Sequence, residues 1–122
     1  MTLIEQLIDI RVSKFFVERR KDVRYRLEVP AIFSWEHPSG IANRREGITR
    51  DISSSGAFVM STVCPPAESR VEVEIIVSAL PGEPRAWLKA SMKVLRVEQG
   101  AEGDCGFSLA GEAFIVRRES RT

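Results

Sequence analysis

The sequence contains few of the residues from which catalytic and metal sites are usually built. It has one histidine, His37, which stands beside a Pro-Ser-Gly turn and has no sequence partner that would make it a general base or a metal ligand. Neither a phosphate-binding loop nor a nucleophile elbow occurs. The sequence therefore predicts a protein that is not an enzyme and needs no cofactor or metal.

Cysteines and long apolar runs are equally scarce. Cys64 and Cys105 are far apart and form no CxxC pair, which argues against a zinc site and a disulfide framework and predicts two buried, inert thiols. No apolar run approaches the roughly 20 residues that span a bilayer, and Glu5 and Asp9 interrupt the apolar start. We expect no signal peptide and no membrane span, and the cytoplasm is the default location.

The composition that remains is that of one small globular domain. The chain has 122 residues, of which 43% are hydrophobic and 29% charged, enough for a single modest core. The net charge is only +1, yet residues 11–26 hold seven basic and two acidic residues, a local net charge of +5. The surface that attracts anions is therefore expected to be local.

The first residues have the pattern of an amphipathic helix. Apolar residues recur at intervals of three and four over residues 3–16, with polar residues between them. Thr2 and Glu5 have the spacing of a capping box, which predicts that the helix begins at Thr2. We predict a helix within residues 1–17. Its apolar stripe packs either on the domain itself or on another subunit or partner.

After Arg26 the hydrophobic period changes to two, which is typical of strands. Alternation over residues 27–36 predicts a strand in which Pro30 marks an edge or a bulge. Further strand signals, separated by turns, occur at residues 47–52, 57–61, 71–77, 86–97 and 105–109. The polar run 43–46 is interpreted as a loop. Six short strands predict a mainly β fold, a small antiparallel barrel or sandwich.

Two short patterns could carry binding chemistry. In RRKDVR, Arg20 and Arg24 have the spacing RxxxR, and Arg19 precedes them; in DISSSG, Asp51, Ser53 and Gly56 give DxSxxG between two predicted strands. Each pattern alone has an ordinary explanation. The first could be a solvated charge run, and the second a good turn in which glycine supplies a positive φ.

Together, in this order, the two patterns resemble the PilZ domain family. The resemblance is carried by ERRKDVRYRLEVPA, TRDISSSGAFV and MKVLRVEQGAEGDCGFSL. It implies a six-stranded antiparallel barrel that acts as a receptor for the bacterial second messenger cyclic di-GMP. The implied barrel domain covers residues 18–114, with an arginine-rich connector at 18–26. The predicted helix at 1–17 precedes it, and residues 115–122 form a tail that is a strand, a short helix or frayed.

The resemblance also implies residue roles. A guanidinium fork matches a phosphate and the O6 and N7 acceptors of guanine, and a carboxylate such as Asp51 suits the N–H donors on guanine's opposite edge. An arginine at the position of Arg19 goes, in the family, with an intercalated pair of ligand molecules. The implied cyclic di-GMP-binding residues are Arg19, Arg20, Arg24, Asp51, Ser53 and Gly56.

The predicted mechanism is a switch in which the ligand draws the arginine connector against the DISSSG turn and moves the N-terminal helix. The output then passes to a protein partner or to self-association through that helix.

Two other functions stay open. One is a PilZ-like interaction module that binds no nucleotide. The other, a binder of single-stranded nucleic acid, is disfavoured because such proteins need an aromatic platform and a spread basic groove. Arg44 and Arg45 lie in a polar insertion. Two roles stay open for them: they contact the ligand, or they take no part in its binding.

Overall fold

The structure is a computed structural model, and it describes residues 13–17, 23–77 and 85–118. In these residues the chain forms strands and one short 3-10 turn at Ala101–Gly103, and no α-helix. The strands are β1 (Ser13–Val17), β2 (Val23–Arg26), β3 (Pro30–Glu36), β4 (Ala42–Ser53), β5 (Gly56–Ser61), β6 (Arg70–Val77), β7 (Ala86–Gln99), β8 (Cys105–Gly111) and β9 (Ile115–Arg118).

Six of the strands close into an antiparallel barrel. The pairing runs from β4 through β3, β6, β7 and β8 to β5, and β5 pairs with β4 again. The hairpin of β1 and β2 is added to this barrel where β2 pairs with β4, and β9 is added where it pairs with β7. The predicted mainly β, six-stranded barrel is confirmed.

The core lies inside the barrel, and β3 and β6 show this most clearly because their buried residues alternate with more exposed ones. Phe33 of β3 and Phe107 of β8 belong to strands that are not paired, and their rings meet edge to face with 4.8 Å between centroids. Each barrel strand contributes at least one fully buried side chain: Phe33, Ile52, Val59, Ile75, Leu88 and Phe107. The alternation that predicted the strands is thus the pattern that fills the barrel.

Two predictions of secondary structure need correction. The predicted helix does not extend over Ser13–Val17, which is β1 and pairs with β2; residues 1–12 lie outside the described residues. The polar run 43–46 is not a loop but the first half of β4, where it pairs with β3. Its side chains are partly or fully exposed, so its sequence has no apolar alternation to reveal a strand. For the tail the sequence left a strand, a short helix and a frayed end open. The residues from Ile115 to Arg118 form a strand, β9.

The two cysteines are not inert thiols. Cys64 and Cys105 form a disulfide, with 6.3 Å between their Cα atoms. Ser61 at the end of β5 pairs with Cys105 at the start of β8, which brings Cys64 beside its partner. The prediction failed because 41 residues separate the cysteines in sequence, and only closure of the barrel makes β5 and β8 neighbours.

Candidate functional site

The DISSSG sequence forms the hairpin between β4 and β5. Ser53 pairs with Gly56 across a two-residue turn formed by Ser54 and Ser55. The turn is tied to a second part of the barrel, because the backbone carbonyl of Ser55 accepts a hydrogen bond from the amide of Gly111 at 3.1 Å. The motif therefore lies in a fixed turn where β4, β5 and β8 come together.

Gly56 is required by close packing, and not by its backbone angle. It does not have the positive φ that was one explanation of the motif. A Cβ atom at this position would lie 2.7 Å from the carbonyl oxygen of Leu109 on β8. Any side chain would therefore push β5 away from β8 at the base of the turn.

Ser53 is also buried, with 1% of its surface exposed. Its hydroxyl lies 3.5 Å from the carbonyl oxygen of Gly56, the residue that closes the hairpin. In this position Ser53 contributes to the shape of the turn.

Asp51 is the motif residue with the strongest polar contacts. It lies on β4 opposite Arg26 of β2, and only 3% of its surface is exposed. Arg24 donates from Nε and Nη2 to Oδ1 of Asp51, at 3.0 and 2.7 Å. Buried carboxylates are costly unless they are paired, so this contact satisfies Asp51 and fixes Arg24 at the same time. A residue of the RxxxR pattern and a residue of the DxSxxG pattern are thus brought together.

The segment between β2 and β3 holds Arg24 in its place. Thr49, which is buried, donates its hydroxyl hydrogen to the carbonyl of Leu27 and accepts a hydrogen bond from the amide of Val29 at 3.0 Å. The amide of Leu27 also donates to the carbonyl of Arg50 at 3.2 Å. These bonds fasten the chain that leaves β2 onto β4, beside Asp51.

Arg50 joins the same group of side chains and was not predicted. Its Nε donates to Oδ2 of Asp51 at 2.9 Å, so each carboxylate oxygen accepts from a different arginine. Neighbouring residues of a regular strand point to opposite faces, so the adjacency of Arg50 and Asp51 in sequence argued against their contact. We call Arg24, Arg50 and Asp51 the Asp51 cluster.

The remaining predicted residues of the arginine pattern are not described. Arg19 and Arg20 lie in residues 18–22, which connect β1 to β2 and fall outside the described residues. The connection begins and ends at the paired residues Val17 and Val23. Arg24, the residue after Val23, belongs to the Asp51 cluster.

Arg44 and Arg45 do not join the cluster. Both are exposed in the first half of β4. Six residues of strand separate Arg45 from Asp51, which is about 20 Å at the rise of a β-strand.

A concave surface lies on the outside of the barrel. It has a volume of about 700 Å³ and is open to solvent between β3, β4, β5 and β6. Among the described residues that line it, none is basic. The apolar ones are Pro30, Ala31, Ile32, Ile48, Met60 and Ile76, and the carboxylates are Glu28, Glu46 and Asp104. We call this surface the outer groove. None of the predicted ligand-binding residues that the structure describes belongs to it.

The fold and the Asp51 cluster define a small antiparallel barrel with an arginine–carboxylate site at one hairpin. A family model, described as the PilZ domain, matches residues 18–117, and the chain belongs to the PilZ domain family. Members of this family are generally cyclic di-GMP-binding modules and not enzymes. Comparison with curated proteins gave no match, and comparison with solved structures gave none either.

Two further observations bear on the class of protein. In the part of the chain that the structure describes, no group of three or more histidine, cysteine or acidic residues is arranged to hold a metal ion. No helix among these residues has the length and apolar character needed to cross a membrane.

Proposed function

We propose that this chain is a receptor for cyclic di-GMP that holds the ligand between the arginine connector and the DISSSG hairpin. The observation that supports the proposal most is the contact of Arg24 with Asp51, which joins the two sequence patterns across 27 residues. Two guanidinium groups around one carboxylate leave a net positive charge, which favours a ligand with two phosphates.

The proposed roles differ from residue to residue. Arg20 and Arg24 contact the ligand through their guanidinium groups, and Asp51 accepts hydrogen bonds from arginine or from the N–H edge of guanine. Gly56 keeps the hairpin close to β8, and Ser53 supports the same turn or offers its hydroxyl to the ligand. Arg19 sets the number of ligand molecules at two, which intercalate as a pair.

The proposed signal passes through the β1–β2 hairpin. β1 pairs with β2, and β2 carries Arg24, so a change at the arginine connector is coupled to β1 and to the residues that precede it. Binding of an anion between the connector and β4 would draw the connector toward Asp51 and alter the surface presented by the N-terminal segment. The output is a contact with a protein partner or with a second copy of the chain, proposed to occur in the cytoplasm.

Isothermal titration with cyclic di-GMP tests the proposal. The parent chain should bind two molecules per chain, and Arg24→Ala should weaken binding about tenfold or more because a charged hydrogen-bonding group is lost. Arg19→Leu should lower the ratio to one. Arg96→Ala is the matched control, since Arg96 is an exposed arginine on β7, a strand that does not pair with β4. Absence of binding by the parent chain would exclude the receptor function.

A PilZ-like interaction module that binds no nucleotide is the second candidate function. The outer groove favours it, since Ile48 and Met60 are exposed there and exposed apolar patches mark sites of protein interaction. The titration above separates the two functions, because an interaction module would give no signal with cyclic di-GMP in any variant.

A further inference from the structure

Arg50 lies at a point where β4 departs from regular pairing. Thr49 pairs with Val59 and Asp51 with Phe58, so Arg50 is an extra residue on β4, a β-bulge. A bulge redirects side chains locally, and here it lets Arg50 contact Asp51, its own neighbour in sequence. Without the bulge Arg50 and Asp51 would point to opposite faces of the strand.

The guanidinium of Arg50 is held by a second contact. Its Cζ lies 3.8 Å from the centroid of the Phe58 ring. The ring is 3% exposed and packs against Gly106 of β8, where a Cβ atom would come within 2.5 Å of two ring carbons. The attraction between a cation and an aromatic face adds to the hydrogen bond with Asp51. Arg50 is therefore oriented before any ligand binds, which lowers the entropy lost on binding.

Arg50 is nevertheless accessible. Its side chain is 44% exposed, compared with 26% for Arg24 and 5% for Asp51. The contact with Asp51 uses Nε, so the two terminal amino groups of the fork are not engaged by that carboxylate. An anion that approaches the Asp51 cluster from solvent would meet Arg50 before the more buried Arg24.

We propose that Arg50 is a further arginine of the ligand site and that its guanidinium binds a phosphate of cyclic di-GMP. This inference rests on the proposed function, and it adds a ligand contact to the residues that the sequence pattern implied. Asp51 and Phe58 act as positioning residues for Arg50, the first through a hydrogen bond and the second through its ring face.

The test is a titration of cyclic di-GMP into Arg50→Ala, Arg50→Lys and Arg96→Ala, at low and at physiological salt. Arg50→Ala should weaken binding about tenfold, as expected for the loss of a hydrogen bond to a charged group. Arg50→Lys keeps the charge but not the planar fork, so it should recover only part of that loss. The penalty of Arg50→Ala should be larger at low salt, because salt screens exposed charges.

Arg96→Ala controls for the loss of a positive charge. Arg96 also donates from Nε to a carboxylate, Glu98, at 2.9 Å, and its side chain is 66% exposed. The affinity of the Arg96→Ala variant for cyclic di-GMP should equal that of the parent chain.

Two results would overturn the inference while the proposed function stands. These are an affinity of Arg50→Ala equal to that of Arg96→Ala, and a tighter affinity of Arg50→Ala than of the parent. Absence of binding by the parent chain would instead overturn the proposed function, and this inference with it.

Discussion

The Asp51 cluster and the outer groove are both built on β4, yet they present opposite chemistry. Ile48 belongs to the groove, and Arg50 and Asp51 belong to the cluster, with the bulge between them. The cluster pairs one buried carboxylate with two arginines, whereas the groove exposes apolar side chains beside carboxylates. The outer groove, despite its volume, is therefore less suitable for a phosphate ligand than the cluster, because charge and not volume selects an anion.

The two regions are also fastened differently. The disulfide of Cys64 and Cys105 lies at one end of the groove, since Thr62 and Asp104, both close to it in sequence, line the groove. The cluster is fastened by the ion pair of Arg24 and Asp51, which joins β2 to β4. The covalent link and the ion pair can be removed one at a time, which shows what each region contributes to stability and to binding.

Removal of the disulfide should have the largest effect on stability. The Cys64→Ala/Cys105→Ala variant should lose about 4 kcal/mol of unfolding free energy, because a link that closes a loop of 41 residues restricts the unfolded chain. Urea unfolding measures the loss, and reductant should lower the stability of the parent chain but not of the variant. Affinity for cyclic di-GMP should be unchanged, since the link lies at the groove. A parent chain that is equally stable with and without reductant would contradict the prediction.

Neutralising Asp51 should have the next largest effect. Asp51→Asn leaves two arginines side by side without their carboxylate and should cost about 2 kcal/mol of unfolding free energy, as for a partly buried ion pair. Glu98→Gln, which removes the exposed partner of Arg96, should cost less than about 0.5 kcal/mol in the same urea titration. If both variants lost the same free energy of unfolding, the prediction would be wrong. The ion pairs of the buried Asp51 would then stabilise the barrel no more than the exposed pair of Arg96 and Glu98.

The sequence predicted the parts of the fold in which burial alternates along a strand. Residues 71–77 and 86–97 were assigned correctly because each has one face in the core. The first half of β4 was missed because its residues are partly or fully exposed, so that pairing with β3 is not visible in its hydrophobicity. Ser13–Val17 was assigned to a helix because apolar residues at intervals of three and four extended into it, whereas pairing with β2 makes it a strand.

The site was predictable to the extent that its residues share a motif. Arg24 and Asp51 were both expected at the ligand site, and the structure brings them together. Arg50 was missed because its contact depends on a bulge, and the register of β4 against β5 is set by the whole barrel. The disulfide was missed for the same reason, since neighbouring strands of a closed barrel are distant in sequence.

The smallest effect is expected where the groove is changed. Ile48→Glu adds a fourth carboxylate to the groove at a side chain that is 55% exposed, so the free energy of unfolding should change by less than about 1 kcal/mol. Ile48 is three residues from Asp51, about 10 Å along the strand, and salt at physiological strength screens charges beyond about 8 Å. Titration of the variant with cyclic di-GMP should therefore give the affinity of the parent chain. A loss as large as that of Arg24→Ala would place the ligand in the groove and reverse the comparison between the two regions.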